Sequence, residues 1–440
     1  MKISLSSGSV AAATLASLLA SACGGGGSTG TGGGGTGGGA HACGAKVDTS
    51  GCTEVVAPGS DDTKAVLTAL IDVKAGGTVC LCPGSYSFTG QLSLTQPNVT
   101  VKGLGAAITD TVLDFSKDTT AGSGNDTMLV TADGFTIENL WVKNTPGNGV
   151  VVRQAASPTF RKLKVTWDDP QASTHGAYAV YPAECTNVLI EDCEVSGAAD
   201  AAVYVGQGTG AIIRRVKAHD SVLGIELENT TGGEAYDNEV YNNSGGMAVF
   251  LLGNLNKKTA AKSILHDNKI HDNNHANFGD PQTVVSHVPV GTGIIVVGTD
   301  DTQIVNNSIS GNESGGVVVI SYLLMEALVM ATADPKIQPD PLRTLIRGNT
   351  FTSNGTKPQP PLDTIGIPML ENVLWDGITP SGKEPDATNE SKFCLGAMQP
   401  SYPSFRMFDG QYLTNPSLAK QSTSTTFYQC DLPLLPMSKP

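Results

Sequence analysis

A nine-residue pattern recurs eight times between residues 136 and 354: TIENLWVKN, TFRKLKVTW, LIEDCEVSG, IIRRVKAHD, AYDNEVYNN, LHDNKIHDN, IVNNSISGN and IRGNTFTSN. Aligned on the last strongly apolar position, these units place Val142, Val165, Val195, Ala218, Val240, Ile270, Ile309 and Phe351 in one column, spaced 23, 30, 23, 22, 30, 39 and 42 residues apart. A base period of 22–23, lengthened by insertions, is the mark of a solenoid, in which each repeat buries its apolar face only against its neighbours. Leucine-rich repeats share this period, but their Leu-x-x-Leu-x-Leu pattern is absent. Val, Ile, Gly and Asn dominate instead, and each unit carries a second apolar strand after a small residue (AVYP, AVYV, GIELE, GMAVF, GIIVV, GVVVI). This composition predicts an all-β, single right-handed parallel β-helix.

Charge, which played no part in the alignment, tests it. Four residues before the anchor the column reads Glu138, Arg161, Glu191, Arg214; one residue before, it reads Lys164, Glu194, Lys217, Glu239, Lys269. Signs alternate from unit to unit in both. Parallel rungs lie about 4.8 Å apart, so each charge faces opposite charges above and below. Two residues before the anchor the column changes from Leu140, Leu163, Cys193 and Val216 to Asn238, Asn268, Asn307 and Asn349. That is an inward position ending in an asparagine ladder, whose amides can bond along the stack at a bend.

Outside the repeats, Ser60–Val73 has an Asp-rich start and apolar residues at helical spacing, which predicts a short capping helix. Residues 1–22 read as a secretory signal, too short in its apolar part to span a bilayer. Ala20-Ser21-Ala22-Cys23 resembles a bacterial lipobox, making Cys23 a lipidation site, and it is also an acceptable site for ordinary signal peptidase. Residues 23–45 form a glycine-rich linker with a mean reach of only about 20–25 Å. The expected order is therefore signal, linker, β-helix over 46–356, and an extension over 357–440 packed on one face. The address is extracytoplasmic, lipid-anchored at a bacterial outer membrane or cell surface, or else periplasmic or secreted. Cys43, Cys52, Cys80 and Cys82 near one end and Cys394 and Cys430 near the other predict terminal disulfides in an oxidising compartment. Cys185 and Cys193 flank an extended run and are expected as small buried side chains. A net charge of −14 argues against a nucleic-acid partner.

Two places suggest chemistry. The outward column of the second strand runs Val151, Tyr181, Tyr204, Glu226, Ala248, Ile295, Val318, and two residues on it includes Glu228. An aromatic-plus-acid strip suits a sugar-stacking groove, with His175 and Asp168 on an inserted turn beside it. The alternative is two surface tyrosines packed beneath a loop. Later rungs are apolar on both faces and need covering, for which residues 321–332 and the chain from Lys357 are candidates. The segment LHDNKIHDNNHANFGDPQTVVSHVP contains His271, His275 and His287, a possible site for calcium or a transition metal, although His-Asp-Asn is also ordinary turn chemistry.

At HGAYAVYPAECTNVLIEDC, DAAVYVGQ, GIELEN and PVGTGIIVV the sequence resembles a bacterial family of secreted or lipid-anchored parallel β-helix repeat proteins, over about Asp61 to Tyr322. The resemblance implies a pectate-lyase-like, carbohydrate-active type of β-helix, and the family is often paired with a secreted cytochrome-type protein. It brings no established reaction. The Asp-Pro-His-Asp motif of alginate C5-epimerases is absent. The expected function is a membrane-tethered β-helix that binds a polysaccharide, with its modification left open; the alternative is a non-enzymatic accessory or scaffold protein docking an envelope partner such as a cytochrome.

Overall fold

The structure is a computed structural model that describes residues 43–44, 46–119, 126–169, 172–324, 334, 336–360, 362–380, 389–397, 401–408 and 421–438. The signal segment, Cys23 and nearly all of the linker lie outside the described residues, as does most of the 321–332 insertion. Among the described residues, no helix is long and apolar enough to cross a membrane.

The chain winds into a parallel β-helix. A 19-stranded sheet collects the first part of each turn, and a 12-stranded sheet collects the second. The second runs from Leu92–Leu94 to Phe405–Phe408 in parallel and ends in the antiparallel Gln421–Ser422. The predicted register holds throughout. Val142 pairs with Val165, Val165 with Val195, and the same column continues through Ala218, Val240, Ile270 and Ile309 to Phe351.

Each repeat turns at one position, three residues before the anchor. Asn139, Lys162, Asp192, Arg215, Asp237, Asp267, Asn306 and Gly348 all have positive φ there, between 48° and 71°. Gly, Asn and Asp tolerate this left-handed conformation best, which explains their abundance in the repeats. The next residue then points inward at the bend. There Asn238 Nδ2 donates to Asn268 Oδ1, Asn268 to Asn307, and Asn307 to Asn349, each at 2.9 Å. A second ladder, not anticipated from the sequence, runs five residues further on through Asn243, Asn273, Asn312 and Asn354 at 3.0–3.1 Å.

Outside, the charge columns close as expected except at Lys217, which lies in register with Glu194 and Glu239 without an ion pair to either among the described residues. Glu191 is 4% exposed and takes Arg161 at 2.6 Å, Arg214 at 2.7 Å and Arg215 at 2.9 Å. Lys164 meets Glu194 at 2.8 Å and Lys269 meets Glu239 at 2.7 Å. Burial pushes the Glu191 carboxyl up, but hydrogen bonds and charge from Arg161 and Arg214 outweigh it and hold it down at about 2. A depressed carboxyl stabilises the fold above its ordinary value near 4.5, and that contribution is lost as pH falls towards 2. Glu191→Ala should therefore cost about 1–3 kcal/mol at pH 7, a figure discounted because the arginines are partly exposed. Denaturant unfolding of the two proteins should converge as the buffer is taken from pH 5 towards 2.

The N-terminal end is closed by the helix Asp62–Asp72, capped by Asp61 accepting from Lys64 N–H at 3.0 Å. It buries Val66, Ala69 and Leu70 against the first rungs. Disulfides Cys43–Cys82 and Cys52–Cys80 staple this end, and Cys394–Cys430 staples the other. Cys185 and Cys193 are free and buried; burial pushes the Cys193 thiol up to about 12, which leaves it inert as a nucleophile.

Beyond residue 356 the chain first continues the solenoid, with Val373–Trp375 and Phe405–Phe408 as two more parallel rungs. Its last residues then run back along the first sheet. Gln303 bonds the Pro433 carbonyl and the Leu435 N–H, and Ser438 donates both its N–H and its hydroxyl to Glu234 at 2.6 Å.

Candidate functional site

The site is built on the outer face of the second sheet by Tyr178–Ala183, Ala201–Gly206 and Leu223–Glu228. Alternation sends Val180, Val203 and Ile225 into the core and Tyr181, Tyr204 and Glu226 outward, with Tyr204 in register with Glu226 and Gly206 with Glu228. Tyr178, at the start of its strand, packs on the same outer face. The three tyrosine rings form one cluster: Tyr178 lies 4.6 Å from Tyr181 and 4.3 Å from Tyr204, and Tyr181 meets Tyr204 edge-on at 4.9 Å. Gly206 makes this arrangement possible, because a Cβ there would lie 2.2 Å from the Tyr204 ring. With that space open, the Tyr204 hydroxyl reaches across to donate to Glu228.

The electrostatics are one-sided. Tyr204, Glu226 and Glu228 are each only 4% exposed, while Tyr178, Tyr181 and Asp200 keep partial access to solvent. Glu226 Oε2 has no hydrogen-bond partner. Burial, then the charges of Asp200 and Glu228, push the Glu226 carboxyl well above its ordinary value. Burial likewise pushes Asp200 and Glu228 up to about 7, with Tyr178 favouring the charged form of Asp200 and Tyr204 that of Glu228. The cation on the tyrosine cluster is Arg153, 5.0 Å over the Tyr181 ring. It is already forked onto Asp126 by two bonds of 3.1 Å, and Asn148 donates to the same carboxylate at 3.1 Å.

Two loops flank the face. At the beginning of the strands Phe278, Val284, Val285 and Val288 pack over Ala201, Val222 and Leu223. At their end the Leu252–Lys257 segment is tied down by Asn229 and Gln207, and Tyr322 and Ile337 pack with Phe250 and Val297. Tyr322 belongs to the insertion expected to serve as a cover. The Phe278–Val288 cover comes from the segment read for its histidines. The extension from Lys357 covers the later rungs, where Leu362, Ile367 and Leu370 meet Val318, Leu374 and Phe408.

The sequence-predicted residues divide accordingly. Tyr181, Tyr204, Glu226 and Glu228 stand together. His175 is buried with its ring stacked on Trp167 at 5.2 Å and its Nδ1 2.8 Å from the Gly197 carbonyl. Asp168 pairs with Lys143 at 2.7 Å and accepts from Asn144. Both fasten the inserted turn to neighbouring rungs, and neither bonds to the strip. His271 stacks on Tyr241 at 5.3 Å and bonds Asp272, His275 meets Phe278 edge-on, and His287 closes a short helical turn beside Ser286. Among the described residues no set of three His, Cys, Asp or Glu groups is placed to hold a metal ion. Sequence reasoning missed Tyr178 and Asp200, which sit at strand starts where alternation gives no signal; a Tyr and an Asp abutting the small-residue strand starts were the available clue.

The match to a family model agrees with the fold. Residues 148–323 match the family model described as the right handed beta helix region. A search of curated protein sequences gave no match. Among solved structures, the A-module of a mannuronan C-5 epimerase from Azotobacter vinelandii is similar at 18% identity and a TM-score of 0.49, over 76% of this chain and 88% of that one. The catalytic unit of an α-1,3-glucanase from Streptomyces thermodiastaticus is similar at 17% and 0.48, over 80% of this chain and 53% of that one. A tailspike protein of the E. coli bacteriophage HK620, solved with a pentasaccharide, is similar at 10% and 0.49, over 73% of this chain and 57% of that one. With the continuous parallel ladders and the match over its central turns, this chain is a right-handed parallel β-helix protein.

Proposed function

We propose that this protein binds a polysaccharide along the Tyr178–Tyr181–Tyr204 face and carries out acid/base chemistry on it. The observation that carries this reading is the junction of three tyrosine rings with three carboxyls, one of them lacking a partner. Tyrosine rings offer flat apolar surface to the C–H faces of a sugar and hydroxyls to its oxygens. Carboxyls that titrate near neutrality can give or take a proton there. The three disulfides fit an oxidising, extracytoplasmic setting, and a lipid on Cys23 would hold the body at a membrane surface.

A glycan array with the purified body tests the binding. Tyr181→Ala, which keeps the core intact, should weaken the retained glycan about tenfold, since one aromatic contact is worth about 1 kcal/mol or more. An array on which no glycan is retained would overturn the reading and favour the accessory-protein alternative. Incorporation of labelled fatty acid into the full chain, lost in Cys23→Ser, checks the tether.

A further inference from the structure

Building on that reading, we infer that the site hydrolyses a glycosidic bond in a neutral or amino-sugar glycan, with Glu226 giving a proton to the leaving oxygen and Asp200 taking one from the attacking water. Elimination or epimerisation of a polyuronide is disfavoured at this face. The argument starts from what the face lacks. A polyuronide would bring one negative charge per ring against Asp200, Glu226 and Glu228, in surroundings dry enough to leave two of these carboxyls 4% exposed. Charge repulsion in such a place is poorly screened. The groups that act on the ionisation of the three carboxyls are one another and Tyr178 and Tyr204, with no cation among them.

The cations nearby are engaged. Arg153 is neutralised by Asp126, and Lys257 on the flanking loop is turned away to the Gly208 carbonyl and to Thr209 Oγ1. Eliminating or epimerising a uronate requires removing a proton next to its carboxylate. The negative charge that develops must be met by a cation or metal. At this face the cation Arg153 is already paired with Asp126, and no metal-holding group is found among the described residues. The same acidity suits the opposite chemistry, in which positive charge develops at the anomeric carbon and carboxyls on the face stabilise it.

The roles follow from the contacts. Glu226 Oε2 is buried without a hydrogen-bond partner, so a proton held there has no acceptor within the protein; a glycan that displaces the side chains sealing it would bring the first, its glycosidic oxygen. Its O–H proton passes to that oxygen as the C1–O bond breaks, leaving Glu226 as the carboxylate. Asp200 is the one of the three whose residue keeps partial exposure, and its carboxyl lies near the Tyr178 hydroxyl, which favours its charged form. It is therefore the group that meets water. The water oxygen attacks C1 and its proton passes to Asp200. Solvent exchange then carries one proton from Asp200 back to Glu226. Glu228, fixed by the Tyr204 hydroxyl, is a positioning residue whose nearby charge keeps Glu226 protonated.

The test incubates the soluble body with xylan, soluble β-glucan, chitosan, pectate and alginate. Reducing ends should appear from a neutral or amino-sugar polymer, without ultraviolet-absorbing unsaturated product from either polyuronide. Glu226→Gln should lower kcat roughly 100-fold or more with KM little changed, while unfolding temperatures verify that the variant is folded. Glu228→Gln should instead shift the alkaline limb of the kcat profile, set by loss of the Glu226 proton, to lower pH. Unsaturated product, cleavage undiminished in Glu226→Gln, or binding of neutral glycans without cleavage would each overturn the hydrolysis and leave the polysaccharide site standing. Binding of no glycan at all would overturn both.

Discussion

Asn268→Ala should destabilise the protein by about 3–5 kcal/mol. The Asn268 Oδ1 accepts from the Asn238 backbone N–H at 3.1 Å and from its side-chain amide at 2.9 Å. Its own Nδ2 donates to the Ala235 carbonyl and to Asn307 Oδ1, both at 2.9 Å. All four bonds lie in the interior, where Asn268 is 2% exposed. Truncation therefore loses the bonds and also strands the donors and acceptors above and below, each at the desolvation cost of an unmet polar group. The effect should exceed that of Glu191→Ala, whose partners reach water. Denaturant unfolding measures it directly. A loss below about 1 kcal/mol would mean that neighbouring amides or water replace the rung.

Glu226→Gln should raise stability above neutral pH, by on the order of 2 kcal/mol, the cost of an unmet buried polar group, or about 2 °C in Tm for a chain of this length. The folded protein holds the Glu226 proton more tightly than the unfolded chain, whose carboxyl titrates near 4.5. Below that value both forms are protonated and the group contributes nothing. As pH rises beyond it, the unfolded chain ionises freely while the folded one resists, so stability falls. A glutamine keeps the shape and removes that cost. Melting curves of the two proteins should lie close together at pH 4 and separate by pH 8; a constant difference would show that the cluster is not its source. The substitution expected to stop hydrolysis is thus expected to strengthen the fold, as when binding or reaction is what retains an unfavourable charge.

Much of the architecture was legible because a parallel stack repeats its environment. Glu138, Arg161, Glu191 and Arg214 alternate in sign since they are true neighbours. Asn238 to Asn349 form a column because one bend recurs. The second ladder, from Asn243 to Asn354, ends the same units and was not legible, since polar residues at a repeat boundary look like turn residues. Tyr181, Tyr204, Glu226 and Glu228 were legible from strict alternation. The burial of Tyr204, Glu226 and Glu228 was not, because the segments flanking this face, including Phe278 to Val288, lie outside the repeat, where no periodicity marks their apolar residues. His175 and Asp168 were assigned to the strip through an insertion, where no periodicity fixes direction.

The returning C-terminal segment has a consequence for how the molecule assembles. A stack of rungs can in principle form and fray from either end. Here Ser438 is tied to Glu234, 204 residues earlier, and Leu435 to Gln303, 132 residues earlier. These are among the longest-range bonds in the chain, and they can form only after the intervening rungs are in place. Loss of the bonds made by Leu435 and Ser438 would therefore loosen turns more than a hundred residues away in sequence, which ordinary rung-to-rung contacts cannot do.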